Sequence, residues 1–243
     1  MMMRWACLCV LALLVSSASA GDFSNWTAVV VAGDWHAHEG GSSAAFDNGR
    51  RTISDELAGI GFSPSHILQF SSWPEKNAAA KPPPALKQQI WDGLWRYARG
   101  AKGGCFVYFT SHGSDAGIVL GEGDLSPSEL ASMLANTCGR RPTAVIVSAC
   151  FSGIFVPALK APNRMVFTAA ASDRSSFGCG QTDKYTFFDN CVVTWLPKSG
   201  DFARLGRDVI ACVRAREKKE RVDLPSHPQL AVGAEVAAFP RWK

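Results

Sequence analysis

Long apolar runs are nearly absent from this 243-residue chain. The one that stands out, Trp5 to Val15, falls well short of the ~20 residues a membrane-spanning helix needs, so a spanning protein is not expected. Charge is also sparse. Only 19% of residues are charged, and 25 basic against 21 acidic residues leave +4 at pH 7, too little to make nucleic acid the default partner. There is no GxSxG elbow, no HExxH helix and no GxxxxGK[ST] loop, which removes the commonest signatures of serine hydrolases, zinc peptidases and phosphate-loop enzymes. No CxxC pair and no Cys/His cluster with zinc-ligand spacing occurs, so neither a metal nor another cofactor is expected. Collagen and coiled coil lack their required period, and 10% aromatic content excludes a disordered chain.

What is present begins with a leader. Arg4 supplies a positive start, Leu8 to Val15 an apolar stretch and Ala18-Ser19-Ala20 a small-residue cleavage site before Gly21, which together read as a secretory signal over residues 1–20. The mature chain is therefore expected to be secreted or periplasmic, where cysteines can pair. Cys7 and Cys9 leave with the signal. Cys105, Cys138, Cys150, Cys179, Cys191 and Cys212 remain, and if one is a free nucleophile, at least one of the other five is also unpaired.

From Gly21 onward, strand-length apolar runs alternate with helix-like stretches, the pattern of a mostly parallel sheet with helices on both faces. Trp26 to Ala32 is a β-branched run that predicts a buried strand. Asp47 to Ile60 carries Ile53, Leu57 and Ile60 at helical spacing and ends at Gly61. A short strand, Ile67 to Phe70, follows. Pro82-Pro83-Pro84 forbids regular structure, and Pro84 is placed to open a helix over Ala85 to Ala98 with Ile90, Leu94 and Tyr97 inward. Cys105 to Thr110 is a second strong strand, Gly117 to Gly123 a hairpin-like segment, and Ser126-Pro127-Ser128-Glu129 a capping box that starts another helix. Thr143 to Val147 and Met165 to Thr168 are further strands. A polar loop comes next, and a charged helix from about Phe202 to Arg221 closes the pattern. Absence of repeats and linkers predicts one α/β domain over residues 21–243.

Ligand crevices in open α/β sheets lie beyond the carboxyl ends of the strands. His112 and Cys150 each follow a strongly apolar strand, in Ser111-His112-Gly113 and Ser148-Ala149-Cys150. If the two strands are neighbours, an imidazole meets a thiol, takes its proton and later protonates a leaving amine. The backbone N–H groups of Gly113 and Cys150 are then candidates for an oxyanion hole. Gly153 allows a tight turn after the nucleophile, and Pro157 limits the helix behind it. An isolated Cys or His is more often structural than catalytic; the combination of strand, Ser-His-Gly, strand, Ala-Cys-x-x-Gly reverses that weighting.

These motifs, TSHGS (Thr110 to Ser114) and SACFSG (Ser148 to Gly153), resemble those of the legumain-like, or asparaginyl endopeptidase, family of cysteine peptidases, which shares the caspase fold. VVVAGDW (Val29 to Trp35) and the stretch from Thr168 to Val193 add weaker likeness, so the resemblance spans roughly residues 26 to 196 and looks closest to small exported bacterial members. It implies a caspase-like three-layer sandwich, with Cys150 as nucleophile, His112 as base and acid, and Gly113 with the Cys150 N–H as oxyanion hole. It also implies that Ser176 or Ser175, and Asp189, read the side chain before the scissile bond. Two departures stand out. Ser148 occupies the position of the family's usual acid, and the loop after the first strand reads His36-Ala37-His38-Glu39 with no arginine before Arg50, so no preference for Asn or Asp is read from the sequence.

The expected activity is thus that of an exported cysteine endopeptidase working on peptide or protein substrates through a thioester. Peptide ligation by the same acyl-enzyme and a catalytically silent binding module are the alternatives. Intact His112, Gly113 and Cys150 weigh against the silent module. His36 and His38 read as polar loop rather than metal ligands. Cys179 and Cys191 could form a disulfide or pack unpaired.

Overall fold

The computed structural model describes residues 22–77, 81–121 and 123–243. The leader at 1–20, with Cys7, Cys9 and the cleavage position before Gly21, lies outside these residues.

Six strands form one sheet in the order β2-β1-β3-β6-β7-β8. They are β1 (Trp26–Ala32), β2 (Ile67–Ser71), β3 (Gly104–Thr110), β6 (Thr143–Ser148), β7 (Arg164–Thr168) and β8 (Gln229–Val232). All neighbours run parallel except β7 and β8. Every residue of β1, β3, β6 and β7 is buried, as expected where helices cover both faces of a parallel sheet. The remaining strands, β4 (Ile118–Leu120) and β5 (Gly123–Leu125), make a small antiparallel hairpin, the one signalled by Gly117 to Gly123.

Alternation along the strands sends successive side chains into two cores. Ala28, Val30, Phe106 and Tyr108 pack with helices α1 (Ala45–Gly59), α5 (Phe187–Ser199) and α6 (Phe202–Lys219). Val29, Val31, Val107 and Phe109 pack with α2 (Lys87–Gly100), α3 (Pro127–Thr137) and α4 (Phe155–Leu159). The result is the three-layer sandwich expected. Each face carries one disulfide: Cys105 of β3 to Cys138 at the end of α3, and Cys191 of α5 to Cys212 of α6. Cys150 and Cys179 are free, so the Cys179–Cys191 pairing is not formed. Cys191 sits in the fully buried core facing α6, while Cys179 lies in the loop before α5.

Some local expectations change. The Ser126 capping box is complete, with the Ser126 side chain accepting from the Glu129 N–H and Glu129 accepting from the Ser126 N–H. Pro84 does not open α2. Ser71 N–H donates to Pro83 O and Ala85 N–H to Ser71 O, so the proline segment runs on beside β2 and the helix begins only after the extended Leu86. Ile90 and Leu94 are buried as expected, but from Leu94 it is Ala98, four residues on, that faces the core, and Tyr97, three residues on, is exposed. Within the stretch read as polar loop, α5 starts where the Thr186 hydroxyl accepts from the Asp189 N–H. Its Val192, Val193 and Pro197 mask the helical signal.

Candidate active site

In the register between β3 and β6, Thr110 faces Ser148. His112 and Cys150 are therefore each two residues beyond a paired position, at the carboxyl ends of adjacent central strands, and both line one cavity with Phe46, Ser148, Ser176, Phe177, Cys179 and Thr186. Larger depressions exist, such as one of about 400 Å³ between β2 and α2 lined by Leu68, Phe70 and Arg96, but no cysteine, serine or histidine lines it. Chemistry, not size, selects the site.

The His112 ring is oriented from behind. Its Nε2 lies 3.0 Å from the His36 carbonyl oxygen, and a carbonyl can only accept, so Nε2 carries the hydrogen and Nδ1 of the neutral ring carries the lone pair. The Phe46 ring meets the imidazole edge-on, with centroids 5.1 Å apart and planes at 76°. Sequence reasoning missed the His36 carbonyl, because a backbone acceptor leaves no side-chain signal. The His36 side chain itself turns to Asp34, with Nδ1 to Oδ1 at 2.6 Å, and stacks on Trp35. Among the described residues, no group of three or more His, Cys, Asp or Glu side chains is placed to hold a metal ion.

Cys150 leaves the sheet through a strained turn. Phe151 adopts φ 55°, in the left-handed region, which costs a non-glycine residue about 1–2 kcal/mol, and its N–H is held by Arg174 O at 2.8 Å. The sequence reading gave the turn to Gly153. Gly153 instead serves close packing, since a Cβ there would lie 2.4 Å from the Ser172 nitrogen. The Cys150 sulfur accepts the Ser176 N–H at 3.2 Å, and Ser176 O lies 3.6 Å from it.

Gly113 packs against the Cys150 backbone. The short bridge between Gly113 and Ile118 is closed by the N–H groups of Ser114 and Val119, which donate to Gly117 O and His112 O. That pairing does not use the Gly113 N–H.

The other expected site residues are distributed unequally. Ser148 and Ser176 line the cavity, whereas Ser175 is exposed beside it. Asp189 does not line it. The side chain is 0% exposed, one layer behind the floor formed by Ser148 and Thr186, whose hydroxyls are 3.4 Å apart. Its oxygens accept from Tyr108 Oη and Thr110 Oγ1, both at 2.6 Å. Complete burial pushes the Asp189 carboxyl above the ordinary range, against the pull of donors from Thr110, Tyr108, Ser148 and Thr186. The Tyr108 phenol is raised as well, by burial and then by the Asp189 charge. Cys179, a cavity residue given no site role from sequence, has its thiol pushed up to about 11, first by burial and then by the neighbouring Cys150.

Comparison with known proteins agrees with this geometry. Residues 98–210, which include both His112 and Cys150, match the model of the peptidase C13 family. Among solved structures, caspase-1 from Spodoptera frugiperda superposes with a TM-score of 0.62 at 14% identity, covering 88% of this chain and 89% of that one. Among curated proteins, none matches the chain. The peptidase C13 match over residues 98–210 supports a legumain-like cysteine peptidase, and the likeness to caspase-1 shows a caspase-like fold.

Proposed function

We propose that this chain is an exported endopeptidase in which Cys150 and His112 form the catalytic dyad. The observation that carries the reading is the convergence of the two strand ends, with His112 held in the tautomer that presents Nδ1 and Cys150 thrown clear of the sheet by Phe151. In the reaction the imidazole accepts the thiol proton, and the sulfur adds to the scissile carbonyl. The N–H groups of Gly113 and Cys150 receive the oxyanion, and the imidazolium protonates the departing amine. Water then adds to the thioester, with His112 accepting its proton, and the acid product leaves with the thiol restored. The substrates are peptides or proteins. No cofactor is assigned to the reaction.

Export through a leader at residues 1–20, with residues 21–243 acting as one catalytic domain, is part of the same proposal. Two disulfides support it, because they persist in oxidising compartments. No helix among the described residues is long and apolar enough to cross a membrane.

The experiment compares the mature protein with Cys150→Ala and His112→Ala on a broad peptide library. Both variants should lose turnover and remain folded, and a thiol-directed peptide inhibitor should label Cys150. Undiminished turnover by Cys150→Ala would reject the assignment.

A further inference from the structure

The cavity beside Cys150 is small for the chemistry around it. Its volume is about 10 Å³, on a scale where one water needs about 10–15 Å³. Phe46, at the start of α1, is 1% exposed and forms one wall against His112, and Phe177 forms another.

The two loops that lead to these walls are tied to each other. Ser43 Oγ donates to Gly180 O, and the Gln181 N–H donates to Glu39 Oε1. Gln181 Nε2 also donates to Gly40 O. The loop before α1 is thereby tied to the segment carrying Ser176 and Cys179, so the space between them is a built gap.

Charge in the gap points the same way. Neither lysine nor arginine lines it. Arg50, one turn along α1 from Phe46, is 0% exposed and pairs with Asp47 and Gln69. An acidic substrate side chain would find no counter-ion there, and the Asp189 carboxyl lies behind the Ser148 and Thr186 hydroxyls. A long basic chain has no room to reach that carboxyl. What fits is a hydrogen, a methyl, or a hydroxymethyl whose carbon stays at the mouth while its oxygen takes the one water-sized space.

We propose that the residue preceding the scissile bond is restricted to Gly, Ala or Ser, with Phe46 as the residue that sets the size limit. The proposal rests on the assignment of Cys150 as the nucleophile. Phe46 determines specificity here and takes no part in the bond-making step.

The test uses the mature protein and one fluorogenic peptide frame with Gly, Ala, Ser, Asn, Asp, Leu or Arg before the leaving group. Wild type should favour the three small residues by about tenfold or more in kcat/KM, the discrimination that one or two excess methylenes bring in a closed pocket. Phe46→Ala should raise kcat/KM for Asn and Leu relative to that for Ala by about tenfold, and this ratio is the readout because loss of the ring against His112 lowers or raises all peptides together. Phe46→Leu, which keeps an apolar side chain in the helix, should give an intermediate result if the alanine variant fails to fold. Preferred cleavage by wild type after Asn, Leu or Arg, abolished in Cys150→Ala, overturns the size rule and leaves the dyad standing. Loss of all Cys150-dependent turnover overturns the dyad assignment and the size rule with it.

Discussion

A Cβ on Gly113 would lie 2.4 Å from the Cys150 carbonyl oxygen and 3.0 Å from the Ala149 Cβ. The strand end that carries His112 thus packs backbone to backbone against the strand end that carries Cys150, and only hydrogen fits between them. Gly113→Ala must push them apart. It should cost about 1–3 kcal/mol of stability through overpacking and about 10²–10³ in kcat through displacement of an oxyanion donor. Denaturant melts and steady-state kinetics measure both. An alanine variant with unchanged kcat would show that the N–H at this position receives no oxyanion.

The two free thiols should react differently. With its thiol pushed up to about 11, Cys179 is only about one part in a thousand thiolate at pH 8. One equivalent of iodoacetamide at that pH should therefore modify Cys150 and spare Cys179, as read by peptide mass mapping. Cys179 alkylation in the Cys150→Ala variant should still accelerate as pH rises toward 11. Equal labelling of both thiols at pH 8 would contradict this order.

Asp189 should make stability depend on pH in the direction opposite to an ion-paired carboxylate. Its folded-state value is raised by burial, so the folded chain holds the proton longer than the unfolded chain. Stability is then favoured at low pH and declines as pH climbs from the ordinary carboxylate value of 3.8 toward the raised one, by about 1.4 kcal/mol per pH unit within that window. Asp189→Asn removes the titration and keeps an acceptor for Tyr108 or Thr110. Subtracting its denaturation free energy from that of wild type, from pH 4 upward, should give a difference that moves steadily against wild type. A flat difference would mean that Asp189 titrates as an ordinary carboxyl.

Disulfide pairing is directly countable. The unreduced, denatured mature chain should release two titratable thiols, Cys150 and Cys179. Replacing Cys191 and Cys212 by Ser opens a link of sequence separation 21 and should cost about 3 kcal/mol. At about 2–4 °C per kcal/mol for a domain of this size, the melting temperature should fall by about 6–12 °C. Four free thiols in wild type would refute one of the two pairings.

Much of the frame was legible because strong local signals agreed with the fold. Val29, Val30 and Val31, Phe106 to Phe109 and Ala144 to Val147 read as buried strands and are strands. The Ser126 box began a helix where its side-chain geometry required one. Where the reading slipped, a neighbour decided. Spacing alone allows either Tyr97 or Ala98 to follow Leu94 inward, and the packing of α2 on the sheet takes the small Ala98 and leaves Tyr97 exposed. The helix carrying Asp189 escaped notice because β-branched residues and Pro197 weakened its pattern, while its stability comes from packing against α1 and α6.

The sequence by itself determined that two apolar strands end in Ser111-His112-Gly113 and Ser148-Ala149-Cys150, and that helices cover both faces of their sheet. Those conclusions depend on residue type and spacing, which are local. The tertiary structure alone decided which cysteines pair, which carbonyl orients His112, that Phe46 closes the cavity and that Asp189 lies behind its floor. Each of these is a contact between segments far apart in the chain, made by the register of Thr110 against Ser148 and by the seating of α1 and α5 on one face. No spacing along the sequence specifies it.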